Sequence, residues 1–182
     1  MKTKPILVAA ALALFVSAAP AAADQGGSPP NGFLDIWSRS DPGACARGQA
    51  QLHRNTRTAI AYYTLAFNAG KPRLAVEKYV GLDADGNKLY TQHNPFAQDG
   101  PEAFIAFVEF FKGLFPDLHV DIKRTIAQCD LVMTHAHITT SATDLGNAAM
   151  DIFRFDRRGK IVEHWDAVQP VEADSANDNT QF

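Results

Sequence analysis

The chain is poor in positive charge. Its 182 residues carry 17 Lys and Arg against 20 Asp and Glu, a formal net charge of −3. That balance gives a polyanion no basic surface to bind, which excludes a nucleic-acid-binding protein and leaves nucleic acid out of the expected partners. Sulfur is scarce too, with two cysteines and three methionines. Two cysteines are too few for a disulfide-built scaffold, so a hydrophobic core must hold the fold. No phosphate-cradling glycine loop, Walker sequence, nucleophile elbow or internal repeat is present. No apolar run is long enough to span a bilayer. The longest, Ile6 to Ala19, follows Lys2 and Lys4 and precedes Ala21-Ala22-Ala23, the layout of a signal peptide. Residues 1–23 are therefore predicted to be removed before Asp24. The mature protein would then be exported, to a periplasm or beyond, with no membrane attachment after cleavage. The alternative is an uncleaved anchor. In an oxidising compartment Cys45 and Cys129 are candidates for a disulfide, the alternative being two free thiols.

What is present is a core-forming composition, 46% hydrophobic, in a length that suits one domain. Residues 24–54 read as linker and N-terminal extension. Gly26 to Gly32 has linker composition, and Phe33, Leu34, Ile36 and Trp37 form an apolar patch within the extension. A first helix is expected from a cap at Asn55 or Thr56 to about Asn68; Ile60, Tyr63, Leu65 and Phe67 sit only partly at helical spacing, and the absence of Gly and Pro favours helix. A second opens at Lys71-Pro72 with Leu74, Ala75 and Tyr79 inward. Asp83 to Asn87 is a turn, without the spacing of a calcium loop. A short extended segment, Leu89 to His93, stops at Asn94-Pro95. A third helix starts at Pro101, with Phe104, Phe107, Val108, Phe111 and Leu114 on one stripe. Four strands follow, at about 119–128, 131–141, 148–155 and 160–169, joined by short turns. Helices followed by a meander predict an α+β fold, helices packed on one face of a curved, mainly antiparallel sheet. The tail 171–182 is polar and expected to fray.

The last two strands hold the candidate chemistry. Asp151 interrupts an apolar strand, so it faces either water or a cavity that uses it. Alternation puts His164, Asp166 and Val168 on one face of the final strand. It likewise puts Met133, His135 and His137 together on the strand 131–141, where the histidines either line a cavity or lie on the exposed sheet face. A sheet curled around helices makes a cone, and convergent polar groups in an apolar cone are the usual form of a ligand site. Asp151, Asp166, His93, His135, His137 and His164 are the polar candidates to line it, and the stripe of Phe107 and Phe111 could roof it. Trp165 falls on the opposite face from His164.

Three stretches carry a resemblance: Gln92-His93-Asn94-Pro95, Asp151-Ile152-Phe153-Arg154, and Gly159-Lys160-Ile161-Val162-Glu163-His164-Trp165-Asp166. Over residues 55–170 the chain resembles the SnoaL-like proteins of the superfamily named after nuclear transport factor 2, relatives of ketosteroid isomerase. The resemblance implies a cone-shaped α+β barrel, its sheet wrapped around three N-terminal helices, with a deep pocket and commonly a homodimer. It implies a small-molecule substrate handled without metal or organic cofactor, by aldol-type acid/base chemistry. Asp151 matches the family's pocket aspartate, the expected acid/base. In ketosteroid isomerase the same position holds a carboxylic acid kept neutral by an apolar site, a known worked case. His164 and Asp166 match pocket-facing positions, and His93 lies at the pocket wall or mouth in such folds. This assigns catalysis to Asp151, His164 and His93. It assigns binding to Asp166, which would orient a histidine, with His135, His137, Phe107, Phe111 and Met133. Two other readings stand beside the lyase or isomerase. One is a non-catalytic small-molecule-binding protein. The other is a metal site of His135, His137, His164 and an aspartate.

Overall fold

The computed structural model describes residues 43–182. The expected signal sequence, the expected cleavage before Asp24 and the apolar patch of Phe33 to Trp37 lie outside the described residues.

A 3₁₀ turn, Ala44–Arg47, leads into helix α1, Gly48–Tyr63, whose last turns widen into a π-helical stretch, Thr64–Asn68. The helix starts seven residues before the expected cap at Asn55. Asn55 is instead a buried interior residue that accepts from Gln51 Nε2 at 2.6 Å. The earlier start follows from a tie at residue 45: Cys45 is bonded to Cys129. The folded unit therefore reaches back into the segment read as extension. Helix α2, Pro72–Tyr79, begins with proline in its first turn, where a missing N–H costs nothing. It buries Ala75 and Val76. Asp83 Oδ1 accepts from the N–H groups of Asp85 and Asn87, which closes the turn after β1, Gly81–Leu82. Strands β2, Lys88–Leu89, and β3, Thr91–Gln92, follow. Helix α3 runs Pro101–Leu114.

The main sheet has five strands in the order β3-β7-β6-β5-β4. Strands β4 (His119–Gln128), β5 (Leu131–Thr139), β6 (Asn147–Phe155) and β7 (Ile161–Pro170) form the expected antiparallel meander. Short β3 adds to β7 in parallel, placing Gln92 opposite His164. The β6–β7 turn is built by Asp156, whose Oδ1 accepts from the N–H groups of Arg158 and Lys160, and by Gly159 at φ +76°. The fold is α+β, with three helices against a curved, mainly antiparallel sheet.

The helix-facing side of the sheet presents Val120, Val132, Thr134, Ala136, Ala149, Asp151, Phe153, Phe155, Ile161 and His164, all buried. Against them pack Ala59, Tyr62, Tyr63 and Ala66 from the first helix, Ala75 and Val76 from α2, and Phe104, Ile105 and Val108 from α3. The helices show one shared effect: an amphipathic pattern does not say which apolar edge meets the core. Ile60 is exposed while Tyr62 is buried. On α2, Ala75 is buried as expected and Tyr79 packs half-buried against the core, while Val76 is buried more fully than Leu74. On α3, Phe107, Phe110 and Leu114 are exposed, and Phe107 and Phe111 stack on each other, 4.6 Å between centroids. The tail also departs from expectation. Phe182 packs on His137 and His135, 4.4 and 5.5 Å between ring centroids, with Lys123 Nζ 5.3 Å from its ring.

Candidate functional site

Strand pairing assembles the site. Asp151 on β6 stands directly opposite Thr134 on β5 and Asp166 on β7, and Phe153 stands opposite His164. All five side chains therefore point to the helix-facing side of the sheet. Tyr63 reaches them from the end of α1.

Asp151 is sealed, at 3% exposure, and has three polar partners. Tyr63 Oη donates to its Oδ1 at 2.6 Å, Thr134 Oγ1 donates to its Oδ2 at 3.2 Å, and His164 Nε2 lies 3.3 Å from Oδ1. The two hydroxyl groups donate one to each oxygen of this buried carboxyl group. Burial, then the charge of Asp151, pushes the Tyr63 hydroxyl well above the ordinary phenol range, so it enters as a neutral donor. Burial does the same for Tyr62 and Tyr90.

His164, at 4% exposure, lies between aromatic rings, stacked on Phe153 at 4.8 Å and on Tyr90 at 5.9 Å. Its Nε2 is also 3.2 Å from Tyr63 Oη. Its other nitrogen, Nδ1, meets Gln92 Nε2 at 3.1 Å. Asp166 is the half-buried member. It accepts from Asn94 Nδ2 at 2.7 Å. Its carboxyl lies above the ordinary carboxylate range, pushed up first by desolvation and further by the charge of Asp151, with His164 and Asn94 opposing. The cluster thus has a sealed end at Asp151 and a margin that reaches the surface at Asp166 and Asn94.

The structure brings together Asp151, His164 and Asp166 and leaves the other candidates outside. His93 points to the opposite side of β3 from Gln92. It stacks on Trp165, 4.6 Å and 3° from parallel, and pairs with Glu163 Oε1 at 2.8 Å. Glu163 in turn binds Arg154 at 2.7 Å, and Arg154 reaches buried Asp130 at 3.0 Å. His93 therefore belongs to an ionic network on the outer face of the sheet. Met133, His135 and His137 also lie on that outer face, since Val132, Thr134 and Ala136 fill the inner one. His135 Nδ1 accepts from Arg124 at 3.1 Å, and His137 Nε2 lies 2.8 Å from the carbonyl of Leu145. Desolvation, and then Arg124, holds His135 below the ordinary histidine value. A metal site of His135, His137 and His164 is ruled out, because the sheet separates the first two from the third. Phe107 and Phe111 sit on the outward aromatic edge of α3.

Four side chains join the cluster without having been singled out: Tyr63, Gln92, Asn94 and Thr134. Gln92 and Asn94 flank His93 in the motif that carries the resemblance; the resemblance points to His93, and the structure turns its two neighbours inward instead. Thr134 becomes the cross-strand neighbour of Asp151 through the register of β5 on β6. Tyr63 lies 88 positions from Asp151 and carried no local signal.

One ligand atom from each of Asp151, His164 and Asp166 lies within 4.8 Å of the others, a composition that divalent metals use. The hydrogen bonding does not fit one. A metal-bound histidine donates its second N–H to an acceptor, whereas here Nδ1 faces an amide nitrogen and Nε2 faces acceptors. The ring offers a cation no free lone pair. Two surface depressions lie elsewhere, both bordered by Gln49, His53 and Arg57 on α1, and share no residue with the cluster.

The sequence profile of the SnoaL-like domain matches residues 59–164, which includes two of the three titratable members, Asp151 and His164, and stops short of Asp166. Among solved structures, a candidate polyketide cyclase from Bacillus cereus superposes with a TM-score of 0.55 at 20% identity, over 70% of this chain and 80% of that one. A candidate SnoaL-like polyketide cyclase from a Jannaschia species gives 0.53 at 16% identity, over 66% and 89%. One from Acidithiobacillus ferrooxidans gives 0.51 at 17%, over 63% and 87%. At these identities the likeness is one of fold. No curated protein sequence matches the chain.

Proposed function

The chain belongs to the SnoaL-like domain family, and from that premise we propose that it is an exported acid/base catalyst of the lyase or isomerase type, acting without metal or organic cofactor on a small carbonyl compound. The observation that carries this reading is the asymmetry of two facing carboxylates. Asp151 is buried and saturated with donors, while Asp166 is at the margin with a raised carboxyl. We therefore assign proton transfer to Asp166 and support to Asp151, which reverses the roles expected from sequence. In an aldol closure, Asp166 removes a proton α to one carbonyl and becomes a carboxylic acid. The enolate carbon adds to a second carbonyl, and the new alkoxide takes the proton back, so no net proton is consumed. A carboxyl raised toward neutrality suits both halves of that exchange.

The Cys45–Cys129 bond supports export, since such bonds persist in oxidising compartments. The homodimer is proposed through the outer sheet face. There Ile126, Met133, Ile152 and Trp165 stand in one register across four strands, with Ile126 60% exposed.

The sealed position of Asp151 favours a second reading, a protein that holds a small carbonyl ligand without turning it over. Turnover of a panel of β-keto compounds by the wild type and by Asp166→Asn separates the two. The catalytic reading expects wild-type turnover and a loss of roughly 10² to 10⁴-fold in the variant with the fold intact. Binding by both proteins with turnover by neither would carry the second reading, and equal turnover by both would remove Asp166 from the mechanism.

A further inference from the structure

Two side-chain amides enter the cluster from the end of β3 and the segment after it, and backbone groups fix which way each faces. Gln92 Oε1 accepts from the N–H of Asn94 at 2.9 Å. A backbone N–H only donates, so the atom it meets is the amide oxygen. The amide nitrogen of Gln92 is left facing His164 Nδ1 at 3.1 Å. Asn94 repeats the device: its Oδ1 accepts from the N–H of Phe96 at 2.8 Å, which turns Nδ2 toward Asp166.

An amide nitrogen donates and does not accept. Nδ1 of His164 must then be the acceptor, without a proton. The ring proton sits on Nε2, where the acceptors are: Asp151 Oδ1 at 3.3 Å and Tyr63 Oη at 3.2 Å. The Tyr63 proton is already committed to Asp151, so its oxygen is free to accept. The backbone holds the two side chains in register. Gln92 and His164 are direct partners in the parallel β3–β7 pairing, and the N–H of His93 donates to the carbonyl of His164 at 2.9 Å.

We propose that Gln92 is a positioning residue that selects the Nε2–H tautomer of His164, making that ring a donor to Asp151 and Tyr63. Its bearing on turnover rests on the acid/base reading above; the tautomer itself does not. With Nε2 protonated, His164 cannot take a substrate proton at that atom, which leaves Asp166 as the acceptor.

The test needs no substrate. A two-bond ¹H–¹⁵N correlation spectrum of labelled protein is recorded at about pH 8, above the ordinary histidine range. The His164 ring is assigned by its loss in His164→Gln. The expected wild-type pattern has Nε2 in the protonated ¹⁵N range and Nδ1 in the unprotonated range. Gln92→Glu replaces the facing donor with an acceptor of the same shape, so Nδ1 is expected to move into the protonated range. A wild-type ring protonated on Nδ1 would overturn the proposal, and so would a ring unmoved by Gln92→Glu. Should Gln92→Glu lose the dispersed spectrum of a folded protein, Gln92→Leu takes its place. It removes the donor without adding charge, and loss of the single-tautomer pattern is expected, while its retention would overturn the assignment. Absent turnover with the expected tautomer would count against the acid/base reading alone.

Discussion

Asp151 and Asp166 are directly opposite each other on adjacent strands. Like charges so placed repel, and the surroundings resolve the conflict by treating the two unequally. Asp151 receives two hydroxyl donors and faces the His164 ring, and Asp166 receives one amide donor. Desolvation raises the Asp166 carboxyl, and the Asp151 charge raises it further. Folded Asp166 thus holds its proton to higher pH than the unfolded chain does. The stability this contributes is present below the unfolded value and is lost as pH rises through the folded one. Asparagine keeps the neutral state at every pH. Asp166→Asn is expected to melt with the wild type in acid and above it at neutral pH, as followed by circular dichroism. A variant that melts lower at neutral pH would mean that the anion is favourably paired.

Elements are coupled by two devices of different kind. The β4–β5 turn is the two-residue Cys129-Asp130, with Cys129 at φ +55°, a conformation that non-glycine residues seldom adopt. From it the Cys45–Cys129 bond ties the start of α1 to the sheet across a sequence separation of 84. A loop of that length restricts the unfolded chain by about 4 kcal/mol in the chain-entropy account. Replacing both cysteines with alanine is expected to lower the melting temperature by many degrees. An unchanged melt would show that the start of α1 frays before the rest unfolds. The second device is the extended run Gln92-His93-Asn94. Its alternation sends Gln92 and Asn94 into the cluster and His93 out to Trp165 and Glu163. One strand edge therefore serves both the candidate chemistry and the outer ionic network.

For the whole molecule, the outer sheet face divides into the apolar row at Ile126, Met133, Ile152 and Trp165 and the His135–His137 corner packed by Phe182. If a second copy covers the row, sedimentation of the wild type reads a dimer. Ile126→Glu, which places charge at the most exposed member, reads a folded monomer. A monomeric wild type would remove the dimer. Intact mass of protein recovered from its compartment is expected to begin at Asp24 and to lack two hydrogens for the disulfide. A chain retaining residues 1–23 would defeat the export proposal.

Local patterns carried the α+β class and the four long strands, whose observed limits fall within two residues of those expected. They also put His164 and Asp166 on one strand face, because period-two alternation is a property of the chain by itself. Alternation says which residues share a face but not which face is inside. Met133, His135 and His137 do share one, and packing made it the outer one. The apolar edges of α3 posed the same ambiguity, and only packing against the aromatic core of Tyr62, Phe67 and Tyr90 selected Phe104 over Phe107 and Phe111. The donors to the cluster are a matter of tertiary structure alone. Tyr63 arrives from the end of α1, and Gln92 meets His164 through a parallel pairing between distant segments. Such pairings are decided by the burial of the whole sheet, which no short stretch of sequence encodes.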